Sequence, residues 1–443
     1  MMILLTVFCL LGLSQGDPRV AFNTTKVEVH MDEVEYIGFS VDGLNAAVSK
    51  VNVTVTSSDL NIVEVAVSQF DPNGIHNGLY NSTINATGIF LGKAEVFLSV
   101  TINEQSFKSE VVNLIVTRRM RKVDIIFTAS VAILVSILYI NFGCAVDWDV
   151  CKKTIKRPIG PLIGCFCQFI CMPMISYLLA ITLFPDNPEM QLGIFFTGIS
   201  PSGGASNVWT LLLGGNINLS VTMTTLCTLA AFALMPLWIF TLGRHIFDRA
   251  NLGLPYLKIA TLAAGLVIPL AIGYFIQKKL PRLSKTMVRI MKPFSAILVL
   301  YIVIFAIVTN LYLFKLFSWE IILAGMGLPW LGFLTGLILS FFLRQPDQDT
   351  RAIAIETGIQ NTGVPIFLLR FCLDQPAADL TTVVPVSCAI MTPLPLLILY
   401  LIKLAFERRK LKRRSSNEKL QASPQDPANS TSLPSSRLNE EAE

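Results

Sequence analysis

The strongest constraint on this chain is a series of long apolar stretches that begins after residue 122. We count nine of them, at 125–143, 159–184, 188–213, 216–242, 256–276, 293–314, 320–343, 352–373 and 380–405. Each has about the 20 residues that an α-helix needs to cross a bilayer. Charged residues make up 15% of the chain, whereas a soluble domain has about 25%. The sequence therefore predicts a polytopic α-helical membrane protein with nine transmembrane helices in residues 123–407, and it excludes a purely soluble enzyme.

The first 16 residues are expected to be a signal peptide. They form a short apolar run that ends in Leu-Ser-Gln-Gly, with small residues at the third-last and last positions, as cleavage requires. No Lys or Arg precedes the run, so an uncleaved anchor is the alternative. The run is, however, shorter than the ~20 residues that span a bilayer.

Residues 17–122 have a different pattern, in which apolar and polar residues alternate. The alternation is clear at 26–31 and 51–55, and residues 71–74 read Asp-Pro-Asn-Gly, a turn sequence. This pattern predicts a small β-sandwich domain. The segment has no cysteine, so its fold must depend on packing rather than on disulfides.

Four Asn-x-Ser/Thr sequons within this domain predict that it is glycosylated and therefore extracellular. They are at Asn23, Asn52, Asn81 and Asn85.

Basic residues indicate the orientation of the membrane region. An extracellular N-terminal domain followed by nine spans places the C-terminus in the cytoplasm. The connections that are then cytoplasmic are rich in Lys and Arg, as at 152–157 and 278–285, and a basic run at 408–414 follows the last span. The exception is the outer cluster at 118–122, which we attribute to an orientation already set by the signal peptide. We expect a multi-pass plasma-membrane protein in which residues 408–443 form a disordered cytoplasmic tail.

Two of the nine spans carry helix-breaking and polar residues at mid-membrane depth. The third contains Gly-Ile-Ser-Pro-Ser-Gly-Gly-Ala-Ser-Asn at 198–207, and the eighth contains Glu-Thr-Gly-Ile-Gln-Asn-Thr-Gly-Val-Pro at 356–365. Irregular backbone in a bilayer persists only where it is buried in protein or lines a watery cavity, and transporters build ion and substrate sites there. Because these spans are five apart, they cross the membrane in opposite directions. This predicts an inverted repeat with two broken, crossing helices.

Glu356 is the most informative residue of these spans. A carboxylate at this depth costs about 2.5 to 3.5 kcal/mol on insertion scales and needs a partner, and no Lys or Arg is expected at matching depth. A bound sodium ion is the simplest partner, and a protonated carboxyl with a structural role is the alternative. Oxygen ligands that suit a hard cation are available in the same spans and in the fourth. They are Ser206, Asn207, Ser220, Thr224, Gln360 and Asn361.

Ser220 and Thr224 are four residues apart and therefore lie on one helix face. Back-bonding to their own helix, or interhelical packing, is an equal alternative for these two hydroxyls.

Three motifs in these spans resemble those of the sodium/bile-acid cotransporter family. They are Ile-Ser-Pro-Ser-Gly-Gly-Ala-Ser-Asn at 199–207, Asn-Leu-Ser-Val-Thr-Met-Thr-Thr at 218–225 and Glu-Thr-Gly-Ile-Gln-Asn at 356–361, in the family's order. The resemblance covers about residues 140–405. The chain departs from the family pattern at Ser202, which replaces the first glycine, at Ile199, which replaces a frequent cysteine, and at 204–205.

The resemblance implies a core domain with two crossing broken helices, a panel-like second domain, and alternating access coupled to sodium. One sodium ion would be held by Ser206, Asn207, Ser220, Thr224 and Glu356, and a second by Gln168, Glu356 and Gln360. The implied substrate is an amphipathic organic anion such as a bile salt or a steroid sulfate. Its anionic group is expected to face Asn207 or Asn361 and the half-helix N-termini.

Two alternatives to sodium-coupled anion symport follow from the sequence. A proton-coupled carrier would use Glu356 as its titrating group, and a cell-surface receptor or adhesion protein would bind a partner through the N-terminal domain. An enzyme is not expected, because no His, Lys or Asp is placed to oppose Ser200 or Glu356 within the membrane.

Other partners are limited by the composition. No cofactor is expected, and Cys165, Cys167 and Cys171 lack the histidine or second cluster that a metal site would need. The net charge of +5 is too small to indicate nucleic acid, so the expected partners are sodium, the organic anion and membrane lipid.

Overall fold

The computed structural model describes residues 18–421, except for gaps at 45–50, 68–69, 72–74, 77, 103–104, 120, 146–155, 157, 251, 291–299, 302–303 and 305–315. The expected signal peptide at 1–16, most of the expected span at 293–314, and residues 422–443 lie outside the described residues. The chain divides into two compact units, with the boundary after Pro393.

Ten strands form the N-terminal domain. They are β1 (Arg19–Phe22), β2 (Lys26–His30), β3 (Val34–Asp42), β4 (Val51–Ser57), β5 (Val63–Val67), β6 (Ile75–His76), β7 (Leu79–Gly88), β8 (Gly92–Ile102), β9 (Gln105–Lys108) and β10 (Val112–Thr117). One five-stranded sheet has the order β1-β3-β7-β5 with β6 on β7, and the other has the order β2-β10-β8-β4 with β9 on β8. Paired strands are antiparallel, except that β2 and β10 run parallel with Val27 opposite Leu114.

Alternating side chains from both sheets build one core in this domain. Ile37 and Phe39 of β3 and Val96 and Leu98 of β8 are buried and belong to the same apolar cluster. Successive residues of a strand point to opposite faces, so every second apolar residue reaches this core. The structure thus has the β-rich N-terminal domain that the alternation predicts.

The four sequon asparagines occupy accessible positions. Asn23, Asn52 and Asn81 are exposed, and Asn85 is half-buried. Asn81 and Asn85 lie on the outer face of β7, because Ile84 and its alternate neighbours face the core. Glycosylation at the four positions stays a prediction that this placement permits.

Most of the described chain after the β-rich domain is helical. The helices are α1 (Lys122–Ala145), α2 (Ile159–Phe166), α3 (Met172–Leu183), α4 (Pro188–Ile199), α5 (Ala205–Leu213), α6 (Ile217–Trp238), α7 (Arg244–Arg249), α8 (Tyr256–Lys279), α9 (Trp319–Phe342), α10 (Asp347–Gly358), α11 (Gly363–Cys372), α12 (Ala377–Leu380), α13 (Val383–Met391) and α14 (Pro393–Gln421). Two π-helical turns, Cys167–Cys171 and Ile239–Gly243, connect α2 to α3 and α6 to α7.

Within the described residues, 6 helical stretches are long and apolar enough to cross a membrane. They are Asp124–Ala145, Ile159–Leu183, Ile217–Arg249, Tyr256–Lys279, Trp319–Phe342 and Ala377–Lys410. The expected spans at 188–213 and 352–373 are not among them, because each is divided into two shorter helices. The chain is a multi-pass membrane protein, and the full number of nine spans stays a prediction.

The last helix corrects one expectation. We expected residues 408–443 to be disordered, but α14 continues through 408–421. This stretch consists largely of Arg, Lys, Leu, Glu, Gln and Ser, with no glycine or proline before Pro424. Since most of these residues favour helix, a helix that starts in the apolar segment continues into the basic one.

A close helix crossing in the membrane region joins α1 to α8 through two glycines. A Cβ placed on Gly273 would overlap the carbonyl oxygen of Ile140 and lie 2.9 Å from the Cα of Gly143. Small residues at such a crossing let the two backbones approach closely. The resulting van der Waals packing favours helix association in lipid, where there is no hydrophobic driving force between helices.

A buried ion cluster connects the end of the N-terminal domain to the membrane helices. Arg118 follows β10, and its Nη2 lies 2.8 Å from Asp124 Oδ1 at the start of α1 and 3.8 Å from Asp379 Oδ2 in α12. Arg370 of α11 lies 3.1 Å from the other oxygen of Asp379, and Arg121 pairs with Asp124 at 3.4 Å. Both aspartates are at most 1% exposed. The cluster gives partners to Arg118 and Arg121, two of the basic residues at 118–122 that the charge pattern left as an exception.

The glycine crossing predicts a specific sensitivity to added volume. Gly273→Ala must separate α1 from α8, so we expect it to lower the stability of the protein by about 1 to 3 kcal/mol. Gly265→Ala is the matched control on the same helix, because a Cβ there meets nothing within 4 Å. Thermal unfolding of the two purified variants in detergent measures the difference, and equal melting temperatures would contradict this account of the crossing.

The ion cluster predicts that its buried carboxylate matters far more than an exposed one. Asp379→Asn removes charge that two arginines face, and breaking a buried pair costs on the order of 3 kcal/mol. Asp248→Asn is the control, because Asp248 pairs with Arg244 at 3.7 Å with both side chains more than half exposed, and such pairs contribute about 1 kcal/mol at most. Melting temperatures should fall clearly for the first variant only; a similar small shift in both would show that the cluster contributes little.

Candidate functional site

Two interruptions of the helices meet in the membrane region and hydrogen-bond to each other. The first is residues 200–204 between α4 and α5, and the second is residues 359–362 between α10 and α11. The N–H of Gly203 donates to the Ile359 carbonyl and the N–H of Asn361 donates to the Pro201 carbonyl, each at 2.9 Å. Each interruption thereby satisfies backbone groups of the other, which is how irregular backbone is tolerated in a bilayer.

The residue types of the two segments explain where the helices stop. Pro201 has no N–H to donate to a helix, and Gly203 lies so close to the second segment that a Cβ would be 3.0 Å from the Gln360 carbonyl oxygen. In the second segment Gly358 ends α10 and Gly363 begins α11. Proline and glycine thus allow both the break and the close approach.

Glu356 lies in the last turn of α10 and is 1% exposed. Its Oε2 accepts a hydrogen bond from Ser220 Oγ at 2.8 Å, and its Oε1 accepts from the hydroxyls of Thr224 and Ser202. None of the ion pairs in the described part of the chain involves Glu356. Hydroxyl groups, and not a basic side chain, therefore surround this buried carboxylate.

Helix α9 holds α10, and with it Glu356, in place. A Cβ on Gly332 would lie 2.9 Å from the Cα of Gly358, and one on Gly336 would lie 2.7 Å from the Cα of Ala354. The backbone that carries Glu356 is therefore in van der Waals contact with α9, with no side chain between them.

The first predicted group of sodium ligands comes together around Glu356. Ser220 Oγ also lies 2.9 Å from Asn207 Oδ1, and Asn207 Nδ2 donates to Thr224 Oγ1 at 3.3 Å. Ser206 is fully buried, and its Oγ has no hydrogen-bond partner among the described residues. Thr224 Oγ1 also lies 3.0 Å from the Ser220 carbonyl oxygen, so the same hydroxyl is within hydrogen-bond distance of its own helix and of Glu356. These oxygens from α5, α6 and α10 suit a hard cation.

The second predicted group is brought together only in part. Gln168, on the π-helical turn after α2, donates through Nε2 to Gln360 Oε1 at 2.7 Å and to the Ser200 carbonyl at 2.6 Å. Gln360 Nε2 donates to the Thr357 carbonyl at 2.7 Å. Within the described residues neither glutamine hydrogen-bonds to Glu356. The π-helical turn, a feature often found at functional sites, directs Gln168 toward both helix breaks.

Asn361, the second predicted substrate residue, lies in the break before α11. It is 7% exposed, and its backbone N–H is used by Pro201 of the other break. Asn207 is 4% exposed and contacts Ser220, which in turn donates to Glu356.

Two residues of the site were missed in the sequence. Ser202 donates to Glu356, and Thr210 Oγ1 donates to Ser220 Oγ at 3.3 Å. Ser202 stood in the first broken motif, where we treated it as a departure from a family pattern and not as an oxygen donor. Thr210 lies four residues after Ser206 on α5, and this spacing was the available signal.

The described residues include no group of three or more His, Cys, Asp or Glu that could hold a metal ion. Cys165, Cys167 and Cys171 are free thiols.

Fold and site together define the class of protein. Apolar membrane-spanning helices enclose two broken helices and an oxygen-lined carboxylate, an arrangement typical of secondary transporters.

Comparison with known proteins identifies the family. The sequence model of the sodium bile acid symporter family matches residues 132–316. The human "P3 protein" is 32% identical over 261 residues, which are 58% of this chain and 54% of that protein. The bovine "Sodium-dependent organic anion transporter" is 34% identical over 254 residues, 56% of this chain and 65% of that protein. The rabbit "Ileal sodium/bile acid cotransporter" is 30% identical over 241 residues, 54% of this chain and 68% of that protein.

The chain belongs to the sodium bile acid symporter family, and the resemblance seen in its motifs is confirmed. This is a family of sodium-coupled transporters and not of enzymes, as the sequence predicted. The chain spans about half to two thirds of the length of these relatives. The match to the family ends at residue 316, so it includes Gln168 and the Ser206 to Thr224 oxygens and stops before Glu356.

Proposed function

We propose that this protein is a sodium-coupled symporter of amphipathic organic anions, of the bile acid or steroid sulfate class, that works by alternating access. The observation that carries the proposal is the burial of Glu356 among hydroxyl groups, without a basic partner in the part of the chain that the structure describes. A bound cation neutralises this carboxylate, and the sodium dependence in the names of two relatives supports sodium as that cation.

Two sodium positions share Glu356 in this proposal. The first uses Ser206, Asn207, Ser220, Thr224 and Glu356, and the contacts that join Asn207, Ser220, Thr224 and Glu356 support it. The second uses Gln168, Gln360 and Glu356, which requires the two glutamines to turn from each other toward the cation. Positive charge entering at these positions couples the inward sodium gradient and the membrane potential to substrate movement.

Two small apolar clefts lie next to the first position. One, of about 20 Å³, is lined by Asn207, Thr224 and apolar residues that include Phe142 and Leu270. The other, also of about 20 Å³, is lined by Tyr139 and other mostly apolar residues. Thr228 lines both clefts. Small-molecule sites have volumes of about 300 Å³ or more, so the apolar body of the proposed anion requires a conformation in which this region opens. The place of Asn207 in the first cleft supports the assignment of the anionic end to it.

The proposal includes a topology. A signal peptide at 1–16 precedes an extracellular glycosylated domain at 17–122, a transporter domain of nine helices at 123–407 arranged as an inverted repeat, and a cytoplasmic segment at 408–443 in a plasma-membrane protein. The accessible sequon positions of the β-rich domain and the two paired helix breaks support this arrangement.

The uptake of a labelled taurine-conjugated bile acid and of a labelled steroid sulfate tests the function. Cells that express the full chain should accumulate at least one of them in sodium medium, and uptake should fall about tenfold or more when choline replaces sodium. Glu356→Gln removes the charge that binds the cation and should abolish the sodium-dependent part. Glu189→Gln, the same change in the first turn of α4, is the matched control and should retain it, with surface biotinylation confirming equal delivery.

Three results would contradict the proposal. Normal sodium-dependent uptake by Glu356→Gln would remove the assigned role of the carboxylate. Uptake driven by external acid and indifferent to sodium would show a proton-coupled carrier. Substrate binding at the cell surface without any uptake would favour a receptor.

A further inference from the structure

Ser202 occupies the centre of the paired helix breaks, where its backbone is held on both sides. Ser202 forms an isolated antiparallel β-bridge with Gln360 in the second break. Hydrogen bonds from Gly203 to Ile359 and from Asn361 to Pro201, each 2.9 Å, flank this pair. Ser202 is fully buried, so the direction of its side chain is set by two elements of the fold and not by a mobile loop.

The hydroxyl of Ser202 is directed at Glu356. It donates to Oε1, the same oxygen that accepts from Thr224, while Ser220 donates to Oε2. Thr224 and Ser220 both belong to α6. Ser202 therefore adds a donor from the first broken helix to a carboxylate of the second broken helix.

We infer that Ser202 is a positioning residue for the coupling cation: its hydroxyl fixes the orientation of the Glu356 carboxylate and ties that orientation to the pairing of the two helix breaks. The inference rests on the proposed sodium-binding role of Glu356. A carboxylate held by donors from two elements of the fold is restrained in its orientation before the cation binds. Without Ser202, the α6 hydroxyls hold the group from one side, and the cation must itself order the carboxylate when it binds.

The consequence is measured as sodium affinity, independently of any substrate. We expect Ser202→Ala to raise the sodium concentration that gives half-maximal stabilisation by about tenfold, since a hydrogen bond to a charged group has an effect of this order. The experiment follows the melting temperature of the full-length purified protein in detergent as sodium chloride replaces choline chloride at constant ionic strength.

Thr197→Val is the matched control. Thr197 is fully buried on α4, and its hydroxyl donates to the carbonyl of Gly193 in its own helix at 2.8 Å. Each substitution removes one buried hydroxyl from the same broken helix, but only Ser202 contacts Glu356. The control should keep the half-maximal sodium concentration within about twofold of the unsubstituted protein.

The outcomes separate this inference from the proposed function. Sodium-specific stabilisation of the unsubstituted protein, with an unchanged half-maximal concentration in Ser202→Ala, overturns the role of Ser202 and leaves the proposed function standing. A lower melting temperature in choline without a change in that concentration shows a purely structural hydroxyl and also overturns it. If the unsubstituted protein shows no sodium-specific stabilisation, the proposed function fails and the role of Ser202 fails with it.

Discussion

The burial of the Glu356 carboxylate is the interaction on which the membrane-spanning structure depends. A carboxylate without a basic partner is costly inside a bilayer, and this one is 1% exposed. Hydroxyls from α6 and from the first helix break surround it. Helix α10, which carries Glu356, lies against α9 without intervening side chains, which the glycines of α9 permit. The environment of the carboxylate and the packing of α10 on α9 are therefore connected, because both involve the same helix.

The two helix breaks also depend on each other for their hydrogen bonds. A single interrupted helix would leave several backbone groups without partners at membrane depth, whereas two interruptions that meet can satisfy each other. The hydrogen bonds between Gly203 and Ile359 and between Asn361 and Pro201 do this. Because Ser202 and Gln360 are paired at the same place, the bonds that satisfy the backbone also bring Ser202 of the first broken helix to the Glu356 carboxylate of the second.

Local sequence patterns predicted much of this structure. Contacts between residues far apart in the chain could not be predicted from them. Alternation at 17–122 indicated strands, and proline and glycine beside polar residues located both helix breaks. Glu356 stood out because a lone carboxylate in an apolar span is rare. The role of Ser202 could not be read in the same way, because it depends on a partner more than 150 positions away that no local period reveals. The helix at 408–421 was missed for the opposite reason: its composition is polar, but its residues individually favour helix.

The ion cluster has a consequence for how the chain is made. Arg118 and Asp124 are synthesised together, whereas Arg370 and Asp379 follow more than 240 residues later. Throughout that interval Asp124 is present to pair with Arg118, whereas Asp379 is not yet made. Arrival of α12 then closes the cluster, so the ionic contact between the two ends of the membrane region completes only when nearly every helix has been inserted. A chain truncated before α12 cannot bury this junction, and the exposed charges distinguish it from a finished molecule.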